Sequence, residues 1–500
     1  MSVSASPLTL LDVLRAAPGD RVALVEPAGD DGGVTYDVLR QRVMETAGAL
    51  AASGIGAGDR VAIALPNGLP LVLVILAASA AGTAAPLNPA YRYEEVCFYL
   101  QDTGAKLLVL PEAGAEDARR AAADCEVPVM TAEALAAAGH PRRVPVQEPA
   151  PEDVALVLHT SGSTGRPKRV PLRHANLAVS VGNVVETYQL APGDVSLCVM
   201  PLFHVHGLVA SVLAAFASGG TVVVPPAFHP FSFWRLVRAH GVTWYSAVPT
   251  IHQLLLARLG AERPDGAEQL RFVRSCSAAL PPEVMAQLES RLGVPVLEAY
   301  GMTEAAHQMA SNPLPPGQRK PGTVGLGTGV RIGILGPGGI ELPAGQPGEV
   351  VIAGANVIDG YEDNPAANAD SFIAGWFRTG DQGVVDADGY LRLTGRIKEL
   401  INRGGEKIAP REIDDVLLAH PAVAEAVAFG VPHPVWGEVV AAAVVLHEPV
   451  AEAELLAWCR DRLAGFKCPD HLHVVEAIPR TATGKIQRLS VAARFATGRA

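Results

Sequence analysis

The sequence predicts an α/β protein with a large N-terminal part on largely parallel sheets, a small β-rich subdomain, and a smaller α+β unit. Three observations predict this. Strand-length apolar runs alternate with helix-length stretches up to about Tyr300, the pattern of α/β architecture. From about Val324 the texture changes to shorter strands and Gly, Pro and Asp turns, such as Pro337-Gly338-Gly339 and Asp386-Ala387-Asp388-Gly389. A second change falls near Gly395-Arg396-Ile397-Lys398, after which a compact mixed module begins.

The elements follow in order. Tyr36 to Ser53 reads as a helix, and Arg60 to Leu65 as a strand bounded by turns. Leu69 to Ala85 is apolar enough to raise the question of a membrane span. It is diluted by Ala and Gly and bounded by Pro66, Pro70 and Pro86, so a buried helix is expected and membrane insertion is not. Lys106 to Leu110 is a strand, and the Ala-rich stretch Ala115 to Ala138 is expected as solvent-facing helix. Strands are expected at Ala155 to His159, Thr221 to Val224 and Arg271 to Ser275. Helices are expected at Leu208 to Ala217, Phe231 to His240 and Pro282 to Leu292. In the last module, Ala409 to Ala419 and Glu452 to Leu463 read as helices, Val423 to Phe429 and Val439 to Leu446 as strands.

Composition narrows the partners. A chain of 500 residues exceeds what one core usually supports. The net charge of -11 argues against nucleic acid, whose phosphates recruit basic surfaces, though not against small anions. The six cysteines are scattered, with no CxxC pair, so a reduced cytoplasmic setting is expected and a zinc site is not. Neither a secretory signal nor a peroxisomal tripeptide is expected.

The strand ending at His159 runs into Thr160-Ser161-Gly162-Ser163-Thr164-Gly165-Arg166-Pro167-Lys168. Glycines let main-chain N–H groups face a phosphate, the hydroxyls of Thr160, Ser161, Ser163 and Thr164 add donors, and Lys168 adds charge. No GK[ST] follows at the Walker offset, so this is not a P-loop NTPase. Taken alone, the loop could also be an ordinary Ser/Gly turn. A lone lysine, Lys485, stands in Pro479-Arg480-Thr481-Ala482-Thr483-Gly484-Lys485-Ile486, on a distant tail that can approach a nucleotide or leave it.

Taken together, the loop, Tyr300-Gly301-Met302-Thr303-Glu304, Thr379-Gly380-Asp381, Gly395-Arg396-Ile397-Lys398-Glu399-Leu400-Ile401, Gly404-Gly405-Glu406-Lys407-Ile408 and the Lys485 motif resemble the adenylate-forming superfamily. That superfamily comprises acyl-CoA synthetases, luciferases and peptide-synthetase adenylation domains. The likeness covers nearly the whole chain, with the motifs in the family's order. It implies two α/β subdomains plus the β-rich one over residues 1–397, and a mobile lid over 398–500. It also implies ATP, Mg²⁺ and coenzyme A as cofactor and cosubstrates. The protein would act as a monomer or homodimer.

The resemblance implies a role for each motif. The loop from Thr160 to Gly165, with Lys168, would hold the phosphates. Glu298, Ala299, Tyr300, Gly301 and Met302 would border the adenine, with Tyr300 stacked on it, and Ser277-Ala278-Ala279 would form its small-residue shelf. Thr303 would bond the α-phosphate, and Glu304 would bind Mg²⁺, a hard cation that takes oxygen ligands. Asp381 would accept both ribose hydroxyls and Arg396 would donate to the same ribose. Lys398 is the hinge position, where backbone dihedrals change as the lid swings. In one orientation Lys485 would steady charge on the α-phosphate. In the other, Gly404 and Gly405 would let the pantetheine arm pass, with Phe466 beside the CoA adenine. Related synthetases often carry basic residues two and four positions after that aromatic. Here these are Cys468 and Asp470, which leaves Lys467 or Arg403 to compensate.

The acid is addressed by Pro201-Leu202-Phe203-His204-Val205-His206-Gly207-Leu208, with His206 as the gate beside the reacting carboxylate. The stretch after Glu304 carries His307 and Asn312 where enzymes for fatty or aromatic acids have apolar lining. Burying the second charge of a short diacid needs donors, and His206, Ser277 and His307 could supply them. Arg271 to Leu280, with Met-Thr-Glu-Ala-x-His, looks most like the oxalate–CoA ligase branch. The expected reaction is AMP-forming activation of oxalate and its transfer to CoA. The alternatives are a CoA ligase for malonate, a short or medium fatty acid or a coumarate-like acid, and a non-catalytic nucleotide-binding relative.

Overall fold

The computed structural model describes residues 9–27, 32–137, 144–160, 167–260, 262–481 and 486–496. Ser161, Gly162, Ser163, Thr164, Gly165 and Lys485 lie outside them.

Two parallel-rich sheets form the body. The first runs Val129–Thr131, Leu107–Leu110, Arg60–Ile63, Thr83–Pro86, Val154–Thr160, Lys168–Arg173. Only its last pair is antiparallel, a hairpin in which Thr160 faces Lys168 across the ladder. The second has nine strands, with Val22–Val25, Thr221–Val223, Val195–Cys198, Trp244–Ala247, Phe272–Ser275 and Val296–Met302 parallel at its centre. His307–Ser311 folds back antiparallel on Val296–Met302 and ends the parallel run.

The helix Leu69–Ala81 is apolar on every side and almost wholly buried, with Pro70 in its first turn, where a missing N–H costs nothing. Its expected extension to Ala85 is cut by Gly82, after which Thr83–Pro86 enters the sheet. No helix among the described residues is long and apolar enough to cross a membrane.

Two expectations are corrected. Ala115 to Ala138 is not one solvent-facing helix. It folds as Glu116–Asp124, the edge strand Val129–Thr131 and Ala132–Ala137, and Ala118, Ala121 and Ala122 are buried. The Leu208–Ala217 stretch is helical, but Leu208–Leu213 winds as a π-helix between two short α-turns, Val205–Gly207 and Ala214–Ala217. Such wide turns are rare and gather at functional sites.

A third sheet is all antiparallel, made from Arg331–Leu335, Gly348–Ala353, Trp376–Val385, Phe372–Ile373 and Leu391–Arg396. A fourth takes every strand from residues 401–474, with Val423–His433 and Gly437–Leu446 as its long central hairpin. Two apolar clusters flank it, one around Ile413, Val440 and Leu455, the other around Phe429 and Val491.

Candidate active site

In open α/β sheets, ligands sit beyond the carboxyl ends of parallel strands. Four strands of the nine-stranded sheet end at one place. Val195–Cys198 leads to His206, Trp244–Ala247 to Pro249, Phe272–Ser275 to Ser277, and Val296–Met302 to Thr303 and Glu304. A cavity of about 290 Å³ opens there, lined by Ser277, Ala278, Ala279, Glu298, Ala299, Tyr300, Gly301 and Met302. Asp381 and Arg396 of the third sheet complete its other wall.

Asp381 and Arg396 are register partners, and their side chains pair at 3.1 Å. Tyr300 donates its hydroxyl to the second Asp381 oxygen. The carboxylate is thereby oriented from both sides, and Asp381 is only 7% exposed. Thr379 anchors the turn, accepting from the Asp381 amide at 3.1 Å and donating to Val350 at 2.8 Å. Glu298 accepts from the Leu280 amide at 3.0 Å, and its other oxygen is buried without a partner among the described residues. Burial pushes its carboxyl up to about 7, against the pull of Arg411.

Glu304 follows on the one-turn helix Thr303–Ala305. One of its oxygens accepts from Tyr361 Oη at 2.7 Å and lies 3.5 Å from Thr160 Oγ1. Its other oxygen has no hydrogen-bond partner among the described residues. Lys168 sits with its ammonium 4.2 Å from the Tyr361 ring, so the two ends of the phosphate hairpin meet Glu304 and Tyr361 together. The described residues hold no cluster of three His, Cys, Asp or Glu suited to a metal. A single carboxylate with a spare oxygen beside a phosphate loop suits Mg²⁺, which keeps several waters and takes its other ligands from phosphate. Thr303 is the first residue of that helix, with Met302 as its N-cap.

Behind Ser277 lies a buried polar cluster. His206 is 3% exposed, with Nδ1 at 2.9 Å from Ser277 Oγ and Nε2 at 2.7 Å from Ser246 Oγ. Its ring centroid is 5.4 Å from that of His307, which is equally buried. Arg274, fully buried, donates to Ser246 Oγ at 2.9 Å, Gln308 Oε1 at 3.1 Å and Tyr188 Oη at 2.8 Å, and reaches His307 Nδ1 at 3.5 Å. Burial pushes both imidazoles well below the usual range, reinforced by the Arg274 charge, so both are neutral near pH 7. The positions are held at a conformational cost. Ser277 (φ 72°), Ala306 (φ 49°) and His307 (φ 111°) all adopt positive φ without being glycine, roughly 1–3 kcal/mol each.

Asn312 does not join this group. Its amide donates to Thr323 O at 2.7 Å and accepts from the Lys320 amide at 3.0 Å, pinning the following loop instead of facing the acid.

On the lid side, Arg411, Asp415, Arg480 and Ile486 line the same cavity. Arg480 and Ile486 pair as an isolated bridge that brackets residues 482–485. Lys398 is exposed on the one-turn helix Ile397–Glu399. Gly404 (φ 60°) and Gly405 (φ 98°) make the turn of the hairpin Ile401–Ile408, and a side chain at Gly404 would strike Trp436 at 2.9 Å. Phe466 is 42% exposed. The two cations offered as compensation are already paired, Arg403 with Asp470 at 2.8 Å and Lys467 with Glu412 at 2.7 Å. Sequence reading left Arg274, Ser246, Tyr361 and Trp436 without a role. Their partners are distant in the chain, and only the Arg271–Leu280 run hinted at Arg274.

This fold and site define a nucleotide-handling enzyme whose cavity is walled in part by residues of the last module. The chain belongs to the AMP-binding enzyme family, which matches residues 12–362, and the AMP-binding enzyme C-terminal domain matches residues 412–485. The oxalate–CoA ligase of Arabidopsis thaliana is 47% identical over 89% of this chain and 90% of its own length. That of Saccharomyces cerevisiae is 45% identical over 88% and 87%. The sulfoacetate–CoA ligase of Cupriavidus necator is 40% identical over 97% of each. ATP-bound MatB from Rhodopseudomonas palustris, 31% identical, superposes with TM-score 0.91 over 98% of this chain and 99% of its own. Its apo form superposes with 0.81 over the same shares.

Proposed function

We propose that this chain is an AMP-forming oxalate–CoA ligase. The observation that carries the reading is the acyl end, where His206, Ser277 and His307 gather neutral donors around a buried cation with no carboxylate among them. A long apolar acid gains little from such a wall, whereas a short acid with a second charge needs one. The relatives named for oxalate support the same choice. A second two-charge acid, sulfoacetate, is the runner-up, because the same donors suit a sulfonate and one relative carries that name.

ATP enters with adenine between the Ser277–Ala279 shelf and Tyr300, and with both ribose hydroxyls on Asp381. The phosphates lie along Thr160 to Lys168, with Ser161, Gly162, Ser163, Thr164 and Gly165 as their cradle. Thr303 donates to the α-phosphate. Glu304 would hold Mg²⁺, which when bound would supply charge neutralisation for the phosphates. The gate His206 and its neighbours keep the acid aligned, so a carboxylate oxygen attacks the α-phosphorus in line. The P–O bond to pyrophosphate breaks, and oxalyl-adenylate forms. Lys485, the neighbour in sequence of the cavity-lining Ile486, steadies the developing charge. The lid then rotates at Lys398, and Gly404 and Gly405 face the adenylate. CoA thiolate, with its arm past Phe466, adds to the acyl carbon and expels AMP. The closer match to ATP-bound than to apo MatB supports the first of these two orientations here. The six cysteines are unpaired, which suits a cytoplasmic setting.

Acid-dependent AMP production across oxalate, malonate, sulfoacetate, acetate, hexanoate and coumarate tests the reading. Oxalate is expected to lead, and equal or better turnover of hexanoate or coumarate would reject it. Lys485→Ala is expected to lower adenylate formation by at least about a hundredfold, while supplied oxalyl-adenylate still gives the thioester.

A further inference from the structure

The acyl end contains a full positive charge that no carboxylate neutralises. Arg274 sits mid-sheet on Phe272–Ser275, 0% exposed, and among the described residues it bonds Tyr188, Ser246, His307 and Gln308 and lies by the Cys276 thiol, with no carboxylate paired to it. An apolar side chain of similar volume usually serves a core as well or better than a buried ion. An isolated buried cation therefore implies an anion that arrives with the ligand.

We propose that Arg274 is the positioning residue that makes this pocket select a dianionic acid, by fixing one tautomer in each of His206 and His307. Each branch then presents a hydrogen-bond donor to the second acidic group.

The argument is a count of hydrogens. A guanidinium has five N–H donors and no acceptor, so its contact with His307 Nδ1 requires a lone pair there. The proton of that neutral ring is then on Nε2, which has no partner among the described residues. In the other branch, Ser246 Oγ accepts from Arg274. Ser246 is fully buried, and the one acceptor within reach of its own hydrogen is His206 Nε2. His206 therefore carries its proton on Nδ1 and donates it to Ser277 Oγ. The Ser277 hydroxyl hydrogen is left over, on a side chain that lines the cavity. The reverse arrangement would strand the Ser246 hydrogen in a sealed site, which native structures avoid. Tyr188 and Gln308 hold the guanidinium in place, because the Tyr188 hydroxyl also bonds Gln308 Oε1 at 2.9 Å, and the Gln308 amide donates to Thr187 and Thr328. The cluster thus offers an imidazole N–H and, at the cavity wall, a hydroxyl O–H, with a cation behind both. That pattern matches a carboxylate or sulfonate and disfavours a hydrocarbon tail.

This deepens the oxalate reading and rests on it, so the test has two separable parts. In wild-type protein labelled with ¹⁵N-histidine, His307 is expected as the Nε2–H tautomer and His206 as Nδ1–H. The opposite tautomer at either ring overturns the proposal without any variant having to fold. In Arg274→Met and Arg274→Lys, the KM for oxalate is expected to rise at least thirtyfold while the KM for ATP moves less than twofold. The two constants rising together would overturn it. If wild type prefers another diacid, the substrate reading falls, and Arg274 is judged by the same two constants on that acid. A wild type that prefers a monocarboxylate rejects both.

Discussion

A β-carbon built on Gly301 would stand 2.0 Å from the carbonyl oxygen of His307, a backbone atom that cannot step aside. Gly301 is therefore what allows the strand bearing Tyr300 and the strand bearing His307 to touch, joining the nucleotide and acid halves of the site. Gly301→Ala is expected to cost about 3 kcal/mol of stability, the upper part of the usual overpacking range, and to lower activity with it. Denaturant titration alongside turnover checks this. At this scale the sequence was informative where a motif is contiguous. Tyr300, Asp381 and Arg396 converge as their spacing and family likeness implied, and Ser277 to Ala279 border the same cavity. Legibility stopped where a role depends on what lies across the fold. Arg274 looks like any strand residue until Tyr188 and Ser246 arrive from other elements. Asn312 looked like a pocket amide because it is near His307 in sequence, yet its side chain turns towards Lys320 and Thr323.

Element by element, strand and helix identity followed the apolar pattern closely. The helix expected from Pro282 to Leu292 forms as Pro282–Leu292, since Pro at its start and Gly293 after its end mark both limits. The π-turn at Leu208–Leu213 left no mark in a stretch that is apolar all round, where periodicity has nothing to resolve. The Ala-rich stretch misled for a related reason: alanine is a good helix former on either a buried or an exposed face. In the lid, Asp414 on the helix Pro410–Leu418 accepts from the Ala428 amide at 2.5 Å and pairs with Arg488 at 2.6 Å. One carboxylate thus ties that helix, the central hairpin and the C-terminal helix Arg488–Ala496 together. Both partners are largely buried, so Asp414→Asn should destabilise the lid by roughly 3 kcal/mol, as when one member of a buried pair is lost. A lid-specific probe such as Trp458 fluorescence in urea would report the shift, and an unchanged midpoint would contradict it.

For the whole molecule, the buried histidines set a pH limit. His252 is fully buried with neither ring nitrogen partnered, and burial pulls it down to about 4 from an ordinary 6.5. His206 and His307 are lowered well below the ordinary value too, chiefly by burial. A base with a lowered folded-state pKa binds protons more readily when unfolded. The contribution of these histidines is therefore flat above about pH 7 and turns unfavourable as pH falls below 6.5, whereas the raised carboxyl of Glu298 acts in the opposite direction as it takes up its proton. At pH 5, His252 alone contributes a loss of about 2 kcal/mol, on the scale of 1.36 kcal/mol per pKa unit. In thermal melts at pH 7.5, 6 and 5, His252→Phe should gain stability relative to wild type as the pH falls, and an unchanged difference would contradict this.

The apolar clusters also divide cleanly along the chain. Those of the sheets before residue 400 take no member from beyond it, and the two around the last sheet take none from before it. Each body keeps its own interior, so a recombination joint placed in the connecting turn would open neither. A graft there could import the thiol-handling half of another ligase while choice of acid stayed with the host.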